Sequence, residues 1–197
     1  MGRRSLAIPV DTSRKTEVDQ MVGAVLQEFG VIDIPVNNAG TGAAAPILDL
    51  PEEAWDRVMN VNLKGYLLCA QAVGKKMVER KKGAIVCTAS QYAFEAVPGM
   101  GVYSVSKAGV SMLIRVLARE LGGFGVRVNG IAPGLVMTDL SRHDWENPDI
   151  RARREAATPL GRLAETTDLA GAALFLASDA SAYVMGHTIL VDGGEIA

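Results

Sequence analysis

Tyr103 and Lys107 stand four residues apart in a segment with helical periodicity, so both side chains leave one helix face about one turn apart. A phenol is a poor base at neutral pH because its pKa is about 10. A neighbouring ammonium favours the phenolate and lowers that value, so the pair can serve as a general acid and base. The same spacing also arises on ordinary exposed helix faces, and only its surroundings separate the two cases. Ser90 lies thirteen residues before Tyr103, at the end of an apolar run. Two further apolar runs end in Asn37-Asn38-Ala39-Gly40 and in Asn129-Gly130-Ile131-Ala132-Pro133-Gly134. Small residues let a ligand approach the backbone closely, and open α/β sheets receive ligands beyond the carboxyl ends of their strands.

Those residues need a frame of strands and helices. Ser5 to Val10 reads as a short buried strand, followed by Asp11 or Thr12 as a helix cap and a helix from Glu17 to Phe29. Val31 to Val36 is a second strand. A helix opening at Asp49 or Leu50, with Pro51 in its first turn, runs to about Lys75–Arg80. Gly83 to Thr88 is a near-continuous apolar strand, as strands covered on both faces are. A helix from Val102 to Leu121, a strand from Val126 to Ile131, a helix from Asp168 to Leu176 and a last strand at Ile189–Val191 complete the series. Residues 139–160 are polar and lack periodicity. The alternation predicts an α/β fold, with a parallel sheet between two helix layers.

Composition limits the alternatives. The chain has 197 residues, 49% hydrophobic and 21% charged, with a formal net charge of −2, which suits one globular domain spanning residues 1–197. No basic run points to nucleic acid, and no apolar run is long enough for a membrane span. Two cysteines, Cys69 and Cys87, suit a reducing compartment, and a cytoplasmic location is expected. No cluster of Cys, His and carboxylates has metal-ligand spacing; His143 and His187 stand alone, and no metal is expected.

The sequence resembles the short-chain dehydrogenase/reductase family. The resemblance rests on Asn37-Asn38-Ala39-Gly40, Asn60-Val61-Asn62-Leu63-Lys64-Gly65, Ser90 with Tyr103-Ser104-Val105-Ser106-Lys107, Pro133-Gly134 with Thr138, and Val191-Asp192-Gly193-Gly194, in the family's order and spacing. It implies a Rossmann-type doubly wound sheet and an oxidoreductase that interconverts an alcohol and a carbonyl with NAD or NADP. It assigns the acid/base role to Tyr103, and to Lys107 both binding of the nicotinamide ribose and lowering of the Tyr103 pKa. Ser90 would hold the substrate carbonyl, and Asn62 a water leading from Lys107 to solvent. Asn38, Ala39 and Gly40 would line the adenine-ribose side, Asp11 would meet the adenine, and Pro133, Gly134, Val136 and Thr138 would touch the nicotinamide. Simpler roles stand beside these: Asp11 as a cap, Thr138 as an N-cap, Asn62 as a satisfied polar group, Asp192-Gly193-Gly194 as a structural turn.

The resemblance also makes residues 139–160 a substrate lid, in which the run Arg151 to Arg154 is either a solvated helix face or an anion reader. Gln91, Tyr92, Phe94 and Met100 are expected beside the substrate. A homodimer or homotetramer is implied. The family's opening Gly-rich turn, Thr-Gly-x-x-x-Gly-x-Gly, is not found in this sequence. The expectation is therefore an N-terminally truncated member lacking the first β-α-β-α unit, which alone binds a dinucleotide weakly. Residues Leu6 to Val10 then either pair beside Val31–Val36 or stay unpaired. The alternative function is a non-catalytic oligomer partner.

Overall fold

The computed structural model describes residues 3–197. Its frame is a four-stranded parallel sheet in the order β1 (Val36–Asn37), β2 (Gly83–Thr88), β3 (Val126–Pro133), β4 (Thr188–Val191). Helices α1 (Lys15–Phe29), α3 (Gly65–Arg80) and α4 (Gly101–Leu121) form one layer, and α7 (Thr166–Ala177) lies on the opposite face. Short helix α2 (Glu52–Met59) precedes α3, while α5 (Arg142–Glu146) and α6 (Pro148–Ala157) lie between β3 and α7. This is the expected doubly wound arrangement.

Strand periodicity explains the two cores. Ile85 and Cys87 of β2, with Val126 and Val128 of β3, pack under Tyr66 and Met77 of α3 and Val110 and Ile114 of α4. Val86 and Ile131 point the other way, onto Leu176 of α7. Successive strand residues face opposite sides, so strands buried on both faces are apolar at nearly every position.

Four expectations need correction. Residues 5–10 form no strand: they are mostly exposed and find no ladder partner among the described residues. The strand expected at Val31–Val36 contracts to Val36–Asn37. Its inner edge still accepts from β2, with the Ala84 N–H donating to Asp33 O and the Val86 N–H to Pro35 O, both at 3.0 Å. Pro35 has no N–H to return, and Ile34 and Val36 stay 46% and 55% exposed on what is the sheet edge of the described residues. The long helix expected through residues 50–80 is continuous from Glu52 to Arg80 but not regular, widening into a π turn at Asn60–Lys64. Finally, the aperiodic stretch 139–160 holds two helices. Asn147 caps α6 by accepting from the Asp149 and Ile150 N–H groups, with Pro148 in the first turn.

Two glycines define contrasting packing. A Cβ on Gly130 in β3 would lie 2.5 Å from Ile114 Cδ1 and 2.9 Å from Cys87 O, whereas one on Gly171 in α7 would meet nothing within 4 Å. Gly130→Ala is therefore expected to lower stability by about 1–3 kcal/mol through overpacking. Gly171→Ala raises it by roughly 0.5–1 kcal/mol by removing a helix-interior glycine. Urea denaturation checks both signs.

Candidate active site

The carboxyl ends of β1, β2 and β3 bring the predicted residues to one edge. Ser90 follows β2, is buried, and caps a 3-10 turn (Gln91–Ala93) by accepting from the Tyr92 N–H at 3.2 Å. Tyr103 and Lys107 sit in the first two turns of α4, where the loop after Pro98 and Gly99 starts the helix beside the strand end. Lys107 is only 2% exposed. Its ammonium donates to Thr88 O at 2.7 Å and lies 5.3 Å and 5.7 Å from the ring centroids of Tyr66 and Tyr103. Such distances give a desolvated cation favourable contact with both rings. Burial still favours loss of the proton and pulls the Lys107 pKa down to about 8, against a smaller upward pull from Cys87. Burial likewise raises the Tyr103 pKa, while the Ser90 hydroxyl beside it pulls the other way and Tyr92 adds to the rise. Ser90 therefore favours the Tyr103 phenolate, opposing the effect of burial.

Asn62 sits fully buried in the π turn. Its Oδ1 accepts from the Thr41 N–H at 2.8 Å, and its Nδ2 donates to Thr41 O at 2.9 Å and to Ser106 Oγ at 3.0 Å. Ser106 Oγ in turn donates to Tyr103 O at 2.7 Å. The Asn62 side chain thus ties the loop after β1 to the helix carrying Tyr103 and Lys107. π bulges occur often at functional sites. Ser106 was not singled out from sequence, although a serine three residues after Tyr103 is placed to bond backward along its own helix.

The loop after β1 passes over Lys107. A Cβ on Gly40 would lie 3.7 Å from both Lys107 Nζ and Asn62 Oδ1. Asn38 Oδ1 accepts from Thr88 Oγ1 at 2.9 Å. Asn38 and Ala39 border a cleft of about 270 Å³ between α1, α3 and the sheet edge, with Thr12, Gly65 and Tyr66 on its walls. Asp11 is exposed and not among the cleft's lining residues. Its carboxylate accepts from the Ser13 N–H and hydroxyl, which hold its pKa below the usual range. The helix N-cap is Arg14, so Asp11 shapes the turn before α1 without capping it.

Pro133 is buried and Gly134 partly so. A Cβ on Gly134 would lie 2.8 Å from Gln91 Oε1, a buried acceptor with no partner among the described residues. Val136 is buried and bridges to Ala164. Thr138 is not the cap of α5, which is Ser141; the Thr138 carbonyl accepts from Trp145 Nε1 at 2.8 Å. The expected substrate neighbour Tyr92 packs edge-on against Tyr103, centroids 6.2 Å apart. Among the described residues no cluster of three or more His, Cys, Asp or Glu could hold a metal ion, and no helix is long and apolar enough to cross a membrane.

Lys107 furnishes a stability test. Its folded pKa lies below its unfolded value near 10.5. Between the two the unfolded chain carries the extra proton, so stability rises with pH. From pH 7.5 to 9, below the range of the raised tyrosines, the unaltered chain should gain about 1 kcal/mol relative to Lys107→Met. Urea denaturation of both proteins across that window measures the difference.

Comparison with known proteins agrees with this geometry. A family profile described as enoyl-(acyl carrier protein) reductase matches residues 1–195. The chain is 44% identical over 184 residues to a D-threitol dehydrogenase of Mycolicibacterium smegmatis, covering 93% of this chain and 70% of that protein. It is 37% identical over 193 residues to a 3-oxoacyl-(acyl-carrier-protein) reductase of Staphylococcus epidermidis, covering 98% and 78%. The structure of a gluconate 5-dehydrogenase from Burkholderia cenocepacia, in complex with NADP and tartrate, superposes with a TM-score of 0.91 at 35% identity, over 94% of this chain and 72% of that one. With a matching fold and matches over nearly its whole length, the chain belongs to the short-chain dehydrogenase/reductase family of NAD(P)-dependent oxidoreductases.

Proposed function

We propose that the chain interconverts a small alcohol and its carbonyl, with Tyr103 as the general acid and base. The supporting observation is the packing of Tyr103 between Ser90 and the buried ammonium of Lys107. Tyr92 is the other phenol at this edge, but its hydroxyl is already engaged by Arg154 at 2.5 Å. The cofactor's nicotinamide would supply or accept the hydride. The chain's own residues do the rest. Ser90 positions the substrate oxygen, and Tyr103 gives or takes its proton. Lys107 holds ribose hydroxyls beside Gly40, where a side chain would come within 3.7 Å of Nζ. Asn62 and Ser106 keep that loop and α4 in register. Asn38 and Ala39 border the adenine-ribose side, and Asp11, in the turn before α1, meets the adenine. Pro133, Gly134, Val136 and Thr138 face the nicotinamide. The unpartnered Gln91 Oε1 beside Gly134 suits a ligand that brings an N–H donor there. Residues 139–160 cover the substrate, and the enzyme works in the cytoplasm.

We further infer pairing of α3 and α4 across a two-fold axis. Leu67, Val105, Met112 and Val116 expose apolar surface on these helices. A dimer or larger in sedimentation equilibrium is expected, and a monomer at all concentrations counts against the pairing.

The functional test uses the 197-residue chain with NAD or NADP and short polyols. Tyr103→Phe should cut kcat/KM at least ~100-fold, the size of a lost acid/base, and Tyr92→Phe less than ~10-fold. Equal losses would overturn the assignment of Tyr103. No turnover, with no cofactor-dependent rise in melting temperature, would count against the proposed activity.

A further inference from the structure

The segment 139–160 carries a basic run whose last member behaves unlike the others. Arg154 points inward from α6. Its Nη2 donates to Tyr92 Oη at 2.5 Å, its Nη1 donates to Glu195 Oε1 at 3.1 Å, and its guanidinium carbon lies 5.9 Å from the Tyr92 ring centroid. The side chains of Arg154 and Glu195 are only 29% and 9% exposed, whereas Arg151, in the same run, pairs with Glu155 on its own helix. A planar guanidinium serves two partners through a rigid fork of donors, whereas a lysine offers a compact point charge on a flexible stem. Tyr92, held this way, is the residue packed edge-on against Tyr103.

The C-terminal turn supplies the other half of the arrangement. The Asp192 carboxylate accepts from the Gly194 and Ile196 N–H groups, which folds residues 192–196 back on themselves. That turn touches the segment just after α6. A Cβ on Gly193 would lie 2.5 Å from Thr158 Cγ2, one on Gly194 would lie 3.1 Å from Pro159 Cγ, and the Leu160 N–H donates to Gly193 O at 3.3 Å. The two glycines allow the turn to press against Thr158–Pro159, and Glu195 then reaches Arg154.

We propose that Arg154 and Glu195 are positioning residues: they clasp α6 to the turn after Ser90 and so set the Tyr92 wall of the substrate pocket beside Tyr103. In this role Arg154 is not an anion reader. Its charge is matched by Glu195, and both its terminal nitrogens are engaged. Truncating either partner leaves the other half-buried and uncompensated, so the clasp opens as a unit.

The inference rests on the reading of Tyr103 as the reacting phenol, and the test separates the two. Chymotrypsin digestion of the unaltered chain, Arg154→Met, Glu195→Gln and the double variant is followed at Leu140 and Trp145 and at sites outside residues 139–160. Each single variant should raise cleavage within the segment at least ~5-fold, and the double variant should add little beyond either single one, as coupled partners do. Near-ultraviolet circular dichroism from the tyrosines should weaken in all three. Arg154→Lys, reaching only one partner, should restore part of the protection. In turnover assays KM for the alcohol should rise ~10-fold with kcat within ~3-fold, the pattern of lost substrate positioning. Unchanged cleavage in both single variants, or equal acceleration inside and outside the segment, would overturn the clasp. Equal losses of activity in Tyr103→Phe and Tyr92→Phe, with the digestion response of the Arg154 and Glu195 variants present, would instead count against the reading of Tyr103.

Discussion

A single buried ammonium organises the active-site edge. Lys107 is almost fully removed from water, and an ion so placed is tolerable only where hydrogen bonds and aromatic faces replace its hydration. Thr88 O, at the end of β2, accepts one of its protons, and the rings of Tyr66 and Tyr103 flank it. The same carbonyl accepts from the Tyr66 hydroxyl at 3.1 Å, and the Thr88 hydroxyl donates to Asn38. One residue at a strand end therefore links α3, α4 and the loop after β1. The sheet must hold that carbonyl in place, which explains why β2 and β3 are the best paired and most deeply buried strands.

The π turn at Asn60–Lys64 is the second fixed point. A regular helix through residues 52–80 would carry Asn62 at a different angle. The turn instead places its amide where Thr41 and Ser106 use both ends. Loop, helix layer and reacting helix are coupled through that amide. A substitution there would be read at Tyr103, two hydrogen bonds away. Asn62 is consequently a support for the site.

Much of this was legible in the sequence because it follows from periodicity and local spacing. β2, α4 and the Tyr103–Lys107 pair match expectation within a residue or two, since β2 is apolar on both faces and α4 carries a buried apolar stripe at helical spacing. Three features were not legible, each for a physical reason. Residues 5–10 have a strand's composition, but a strand needs a neighbour, and none is present among the described residues. Helix α6 buries no residue, so it leaves no apolar stripe to read; only Asn147-Pro148 marked its start. The Arg154 clasp joins residues 62 and 41 positions apart, and no local pattern connects Tyr92 to Arg154 or Arg154 to Glu195. Burial adds an influence on Tyr103 that local spacing does not carry: desolvation raises its pKa, and Ser90 pulls it down.

The account depends most directly on Lys107 being a buried, marginally protonated ammonium at the end of β2. Its titration can be followed through the lysine Cε carbon by NMR, assigned by its loss in Lys107→Arg. The structure predicts a midpoint at about 8. A midpoint at the ordinary lysine value of about 10.5 would place the ammonium in water and contradict the arrangement of the whole site.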